Sequence, residues 1–228
     1  MPVSPLEQIR LDMDNAARAA GRPPARLLAV SKTQPADAVA ELAAQGQTAF
    51  GENYVQEAAA KMAALRALGL EWHLIGHLQS NKADQAARLF DWVQTVDRPK
   101  LVPALARHRP ADRPALNLLV QVNIDDEDSK HGCAPEAVPA LAAAIDAEPR
   151  LLLRGLMAIP APFPEPERRQ AAFVRMRELF EAVAAGRPQV DTLSMGMSGD
   201  FAQAITAGAT MVRVGTALFG ARRAPLRG

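Results

Sequence analysis

Short apolar, β-rich runs alternate along this chain with longer Ala-rich segments whose apolar positions recur at helical period. The runs that read as strands are Leu27–Ser31, Thr48–Phe50, Trp72–Gly76, Trp92–Val96, Leu116–Ile124, Leu152–Ile159, Thr192–Met197 and Met211–Phe219. Helices are expected over Leu6–Ala20, Ala36–Gln45, Val55–Leu68, Lys82–Leu89, Lys100–Arg107, Pro135–Ala147, Glu167–Ala185 and Phe201–Ala207. Every helix but the first follows a strand, and Gly or Pro punctuates the junctions, as at Gly21, Gly69, Pro149, Gly186 and Gly208. Short strands this apolar suit a parallel sheet covered by helices. In the fifth run Leu116, Leu118, Val120, Val122 and Ile124 share one face, while Asn117, Gln121 and Asn123 share the other with Leu119, so that second face is expected to meet polar neighbours.

About eight such units behind one extra N-terminal helix is the pattern of a single (β/α)₈ TIM barrel of the α/β class. A doubly wound open sheet is the structural rival, but no Gly-x-Gly-x-x-Gly turn follows the first strand. The proline-containing stretch Ile159–Pro166 lies between a strand and a helix and reads as a loop, so one domain over residues 1–228 is expected.

Composition narrows the function. Lys+Arg 26 against Asp+Glu 25 leaves a formal charge of +1, which provides no field to gather nucleic acid, and 4% aromatics leave few stacking platforms for bases. The single cysteine, Cys133, cannot form an internal disulfide and has no marked activating base, so it reads as an incidental thiol. Glu7, Arg10, Asp12 and Asp14 interrupt any apolar leader, and no apolar run reaches the roughly 18 residues of a membrane span. A cytoplasmic protein with no nucleic-acid or membrane partner is expected.

In a barrel, chemistry gathers where the strands end. After the first strand, Lys32 shares a face with Leu28 and Val30; if that face is the barrel interior, poor solvation lowers the pKa of the amine and frees it to attack a carbonyl. An ordinary lysine emerging into water is the competing reading. In the eighth run Arg213 sits among apolar residues and demands an acceptor, either a ligand anion or a structural carboxylate such as Asp191. Gly215 and Thr216 follow with a bare backbone and a hydroxyl, the ingredients of a phosphate cradle. In the seventh unit, Ser198 as a helix cap with free N–H groups behind it would favour an anion, although Ser198 and Asp200 also read as simple caps.

Asn53 could hydrogen-bond a ligand hydroxyl or only satisfy its loop. His73 and His77 are separated by a turn at Gly76 and lack a cluster of further ligands, so no metal site is expected. Asp125–Asp128 lacks the Gly and terminal Glu of a calcium loop and reads as solvated. An amine on the first strand and a phosphate cradle on the last two suggest a phosphorylated aldehyde held as a Schiff base. Pyridoxal 5′-phosphate fits both ends.

The motifs Ala29-Val30-Ser31-Lys32-Thr33, Phe50-Gly51-Glu52-Asn53-Tyr54-Val55-Gln56-Glu57, His73-Leu74-Ile75-Gly76-His77-Leu78-Gln79-Ser80-Asn81-Lys82, Gly155-Leu156-Met157-Ala158-Ile159-Pro160, Leu193-Ser194-Met195-Gly196-Met197-Ser198 and Val212-Arg213-Val214-Gly215-Thr216 resemble the pyridoxal phosphate homeostasis protein family, which is similar in fold to the N-terminal barrel of alanine racemase. The resemblance spans nearly the whole chain. It implies that Lys32 carries the cofactor, that Ser198, Gly215 and Thr216 surround its phosphate, that Arg213 faces the pyridine nitrogen, and that Asn53, His77 and Met157 are pocket neighbours. A guanidinium there donates a hydrogen bond without readily giving up a proton, which leaves the ring a weaker electron sink than an Asp partner would.

A racemase needs acid and base groups on opposite faces of the substrate carbon, and Lys32 supplies only one. The resemblance to alanine racemase implies that the other comes with an additional domain and a partner subunit, and none is expected in a chain ending at Gly228. The expectation is a carrier that takes part in intracellular homeostasis of pyridoxal phosphate, a monomer or weak dimer, with apo forms of pyridoxal-phosphate-dependent enzymes as candidate recipients. The alternatives are a small pyridoxal-phosphate-dependent amino-acid racemase and a Schiff-base aldolase without the cofactor.

Overall fold

The structure, a computed structural model, describes residues 3–125, 131–161 and 164–220. Eight parallel strands close a barrel in sequence order, β1 (Arg26–Val30), β2 (Ala49–Glu52), β3 (Glu71–Leu74), β4 (Trp92–Val96), β5 (Leu116–Val122), β6 (Leu151–Ala158), β7 (Thr192–Ser194) and β8 (Met211–Val214), with β8 pairing back onto β1. Around them run α2 (Ala36–Ala44), α3 (Val55–Leu65), α4 (Ala83–Leu89), α5 (Leu101–His108), α6 (Val138–Asp146), α7 (Pro166–Ala184) and α8 (Phe201–Ala207), preceded by α1 (Pro5–Ala19) and followed by the single turn α9 (Thr216–Phe219).

The extra helix in front starts where the sequence allows it to. Ser4 accepts from Glu7 N at 3.2 Å and Glu7 Oε2 accepts from Ser4 N at 2.9 Å, with Pro5 at the first helical position. Its buried residues Leu6, Ile9, Met13 and Ala17 fall on one stripe, through which it packs on the outer layer beside α8 and α9.

Alternation along the strands divides the core in two. Leu116, Leu118, Val120 and Val122 of β5 face the helices, as their spacing predicts. Inside the barrel, Leu28, Ala49 and Met211 form one cluster, and Trp92, Leu119 and Met157 another. The polar face of β5 does find polar partners: Asn117 Oδ1 accepts from Arg154 Nη1 at 3.0 Å, and Gln121 Nε2 donates to His131 O at 3.3 Å.

Several element ends differ from expectation. The run expected as one strand to Phe219 stops at Val214, because Gly215 (φ −120°, ψ −80°) leaves the extended conformation and Thr216–Phe219 winds into a helical turn. The fifth and seventh strands are likewise shorter, ending at Val122 and Ser194. The helix expected to Leu68 ends at Leu65 and continues as a 3₁₀ turn, Arg66–Leu68, into left-handed Gly69. The expectation of a solvated acidic loop fails at Asp125, whose side chain is 4% exposed, accepts from Ala161 N and pairs with Arg175. Residues Asp126–Asp128 of that loop, and residues 162–163 of the proline-containing one, lie outside the described residues.

Candidate site at the mouth of the barrel

Lys32 stands just beyond β1, at the C-terminal end of the barrel. Lys32 lies in a turn past the last residue of the strand, so the alternation that would pair it with Leu28 does not reach it, and the poorly solvated setting is not found: Lys32 is exposed. The ladder has ended at Val30, and the chain turns at once, with Gln34 N donating to Ser31 O at 3.0 Å and Thr33 at φ 63°. The turn does lie beside the end of the last strand. β1 and β8 pair in register from Arg26↔Met211 to Ala29↔Val214, and a Cβ added to Gly215 would lie 3.2 Å from Val30 O.

Beneath this turn is a buried ionic network that the sequence reading missed. Lys61 Nζ, from α3, donates to Ser31 O at 2.6 Å, Glu52 Oε1 at 2.7 Å and Glu57 Oε1 at 2.9 Å. Ser31 Oγ donates to Glu52 Oε1 at 2.5 Å, and Thr33 N to Glu57 Oε1 at 2.6 Å. The backbone on both sides of Lys32 is therefore tied to one ammonium group. Burial pushes the Glu52 carboxyl above its ordinary range, against the hydrogen bonds from Lys61 and Ser31, and its Oε2 has no hydrogen-bond partner among the described residues. A sequence signal existed, because Lys61 falls on the buried stripe of α3 with Val55, Ala58 and Leu65, where a cation requires a partner.

On the neighbouring strand β8, Arg213 is 4% exposed. Its Nη1 donates to Ser194 Oγ at 2.7 Å and its Nη2 to Ala158 O at 2.8 Å. Burial lowers the guanidinium to about 10, with Asp200 opposing, so it stays cationic at neutral pH. Asp191 is not its partner, since that carboxylate pairs with Arg154. Among the described residues no carboxylate lies within ion-pair distance of Arg213.

Ser198 is exposed in the turn before α8 and does not cap it; Asp200 stands at the cap position, and its Oδ1 accepts from Met197 N at 2.7 Å instead of from the helix. Gly215 and the exposed Thr216 open α9, whose first N–H groups have no acceptor within the turn.

Asn53 and His77 line a cavity of about 410 Å³ together with Tyr54, Gly76, Lys82 and His131. Met157 is inside the barrel, fully buried with Trp92 and Leu119. His73 is buried inside the barrel and His77 is exposed at the mouth, so the two do not meet, but the expectation that no further ligand groups accompany them fails at His77. His77 instead meets Asp97, with Nδ1 3.7 Å from Oδ2, and stacks on His131 at 3.8 Å and 16°. Burial and the neighbouring His131 hold His77 below the ordinary imidazole range. These three groups offer donor atoms within 4.8 Å of one another, an arrangement not legible in the sequence. Cys133 is buried and its thiol is pushed up to about 11 by burial, which suits an inert side chain.

The donor set at the mouth is thus a reachable primary amine, a buried guanidinium with no carboxylate partner among the described residues, and a glycine-opened helical turn. The family model described as "Alanine racemase, N-terminal domain" matches residues 5–223 of this chain. Alanine racemase from Corynebacterium glutamicum shares the fold, at 20% identity and a TM-score of 0.69 over 95% of this chain and 62% of that one.

Within that class, the chain belongs to the pyridoxal phosphate homeostasis protein family. It is 56% identical over 209 residues to the pyridoxal phosphate homeostasis protein of Pseudomonas aeruginosa, covering 91% of this chain and 90% of that one. It is 50% identical over 222 residues to that of Escherichia coli K12, covering 95% of each. PipY of Synechococcus elongatus superposes with a TM-score of 0.85 at 38% identity without PLP, over 95% of this chain and 98% of that one. The PipY structure with PLP bound superposes at 0.75 and 39% identity, over 92% and 100%.

Proposed function

We propose that this chain binds pyridoxal 5′-phosphate at the barrel mouth, holds it as a Schiff base on Lys32, and serves intracellular homeostasis of the cofactor as a carrier without catalytic turnover. The observation that carries the reading is the seam between β1 and β8, where the chain leading to Lys32 runs against Gly215 and beside buried Arg213. The family's name and the PLP-bound relative support it.

When bound, this cofactor supplies an aldehyde that condenses with amines and a pyridine ring that accepts electron density. Lys32 offers the amine, and its exposure suits loading from solution and release to a recipient, for which apo pyridoxal-phosphate-dependent enzymes are the candidates. Gly215, Thr216 and Ser198 offer N–H groups and hydroxyls to the phosphate. Arg213 donates to the ring nitrogen and, remaining cationic, does not hand it a proton. Asn53, His77 and Met157 bound the pocket. The protein acts in the cytoplasm as a monomer or weak dimer and needs no nucleic acid or membrane; no described helix is long and apolar enough to cross one.

The test is borohydride reduction of the loaded protein followed by mass mapping. A single pyridoxyl label on Lys32, absent in Lys32→Ala, is expected; a label confined to another lysine overturns the assignment. The alternative, a small amino-acid racemase, needs a second proton-transfer group opposite Lys32, for which the cavity lined by Tyr54, His77 and His131 offers a phenol and two imidazoles. Incubating the loaded protein with single-enantiomer amino acids in deuterated water separates the two: a carrier shows no sustained exchange at the α carbon, and a racemase does.

A further inference from the structure

Below Arg213 the barrel interior holds a line of polar side chains that no function described so far uses. Arg213 Nη1 meets Ser194 Oγ at 2.7 Å, Ser194 Oγ meets Gln94 Oε1 at 2.7 Å, Gln94 Nε2 meets His73 Nδ1 at 2.9 Å, and His73 Nε2 meets Glu71 Oε1 at 2.7 Å. Arg26 Nη2 closes the line on the same carboxylate oxygen at 2.7 Å. Ser194, Gln94 and His73 are fully buried, one on each of β7, β4 and β3. Glu71 and Arg26 begin β3 and β1, at the opposite end of the barrel from Lys32. The line therefore spans the barrel from mouth to floor.

Its direction is dictated by what each group can do. A guanidinium only donates, so Ser194 accepts from Arg213 and spends its one hydroxyl hydrogen on Gln94. The Gln94 carbonyl oxygen faces Ser194, and its amide nitrogen faces His73. The second amide hydrogen is used as well, on Met211 Sδ at 3.2 Å. Facing an N–H donor, His73 Nδ1 must be the acceptor, so the ring carries its hydrogen on Nε2 and gives it to Glu71.

The surroundings agree. Burial holds His73 below the ordinary imidazole range, and its ring is stacked on Trp92 at 5.0 Å and 11°. Glu71 lies below the ordinary carboxylate range: burial raises it, but the hydrogen bond from His73 and the charge and hydrogen bond of Arg26 outweigh that, so the floor of the line is an anion. The four bonds from Arg213 through Ser194, Gln94 and His73 to Glu71 all point from the Arg213 guanidinium toward that carboxylate.

We propose that Ser194, Gln94 and His73 are positioning residues for Arg213: a one-way line of donors, ended by Glu71, fixes the guanidinium plane and so the N–H face offered to the pyridine nitrogen of bound pyridoxal phosphate. The inference rests on the reading of the mouth given above. Arg213 spends two bonds on protein acceptors among the described residues, which leaves other N–H groups of its five for a ligand. The line orients and does not conduct, because a primary amide in its middle does not relay protons as a chain of hydroxyls does.

The first measurement needs no cofactor. Nitrogen NMR of the full chain labelled at histidine should show His73 with Nδ1 unprotonated and Nε2 protonated; a protonated Nδ1 reverses the line and overturns the proposal. The second uses the loaded protein. Ser194→Ala and Gln94→Leu should both still take the borohydride label on Lys32, yet release the cofactor about tenfold faster, the scale of one lost hydrogen bond to a charged group, and shift its visible absorption. In an Arg213→Leu background, Ser194→Ala should add nothing further. Wild-type release and spectrum in both variants, or a loss that adds fully to that of Arg213→Leu, overturns the proposal. An unlabelled Lys32 in the wild type instead overturns the reading of the mouth on which the proposal rests, so the two failures are told apart.

Discussion

At the scale of residues, the turn that presents Lys32 is held by charges buried in the outer wall. The side chains of Glu52 and Lys61 are 0% and 7% exposed, so neither has water to fall back on if its partner is lost. Lys61→Met should therefore destabilise the chain by about 3 kcal/mol in urea titration, because it strands the Glu52 carboxylate. Adding Glu52→Gln should recover more than half of that loss; no recovery would show that the two act separately. The motif containing Glu52 was visible in the sequence, and so was Lys32. The partnership with Lys61 was not, because its third member is the backbone of Ser31, 30 residues away from Lys61 just past the end of β1.

At the scale of elements, periodicity located every strand and most helices, and it failed where a local irregularity resets the count. On β6, Leu153 and Leu156 both face the helices, and Arg154 and Met157 both face inward, which a regular strand does not allow. The extra residue is absorbed at Gly155, where the pairing with β5 skips from Leu118↔Leu153 to Leu119↔Gly155. Gly155 has φ 145°, and a Cβ there would lie 1.9 Å from Thr192 O. Gly155→Ala should cost about 2–4 kcal/mol in denaturant melts, from strain and collision together; a near-neutral variant would mean that the bulge can relocate. The same kind of local event explains the end of β8. Thr216-Ala-Leu-Phe is as apolar as a strand, and only the backbone angles at Gly215 turn it into the helical turn that opens toward the mouth.

At the scale of the molecule, the barrel closes by pairing its last strand with its first, and the proposed ligand bridges that closure from Lys32 to Gly215 and Thr216. Binding only the folded state stabilises it by mass action, about 2.7 kcal/mol at a hundredfold excess over the dissociation constant. For a chain of this size that corresponds to a melting temperature higher by about 5–10 °C. Lys32→Ala should lose most of the shift; an equal shift in that variant would place the ligand elsewhere.

The alternation of runs determined the barrel, its extra helix and the strand ends to inspect, because burial against helices leaves a period that survives in any one segment. The ordered motifs singled out Lys32, Arg213 and Gly215 as candidates for the same reason: each is a departure from its own local pattern. Which polar groups meet was decided only in three dimensions. The line from Arg213 to Glu71 draws its members from β8, β7, β4 and β3, and His77 finds Asp97 and His131 in the connections that follow two other strands. Closing a sheet into a barrel brings such residues within hydrogen-bond reach through shear and tilt, and no spacing along the chain encodes those neighbours.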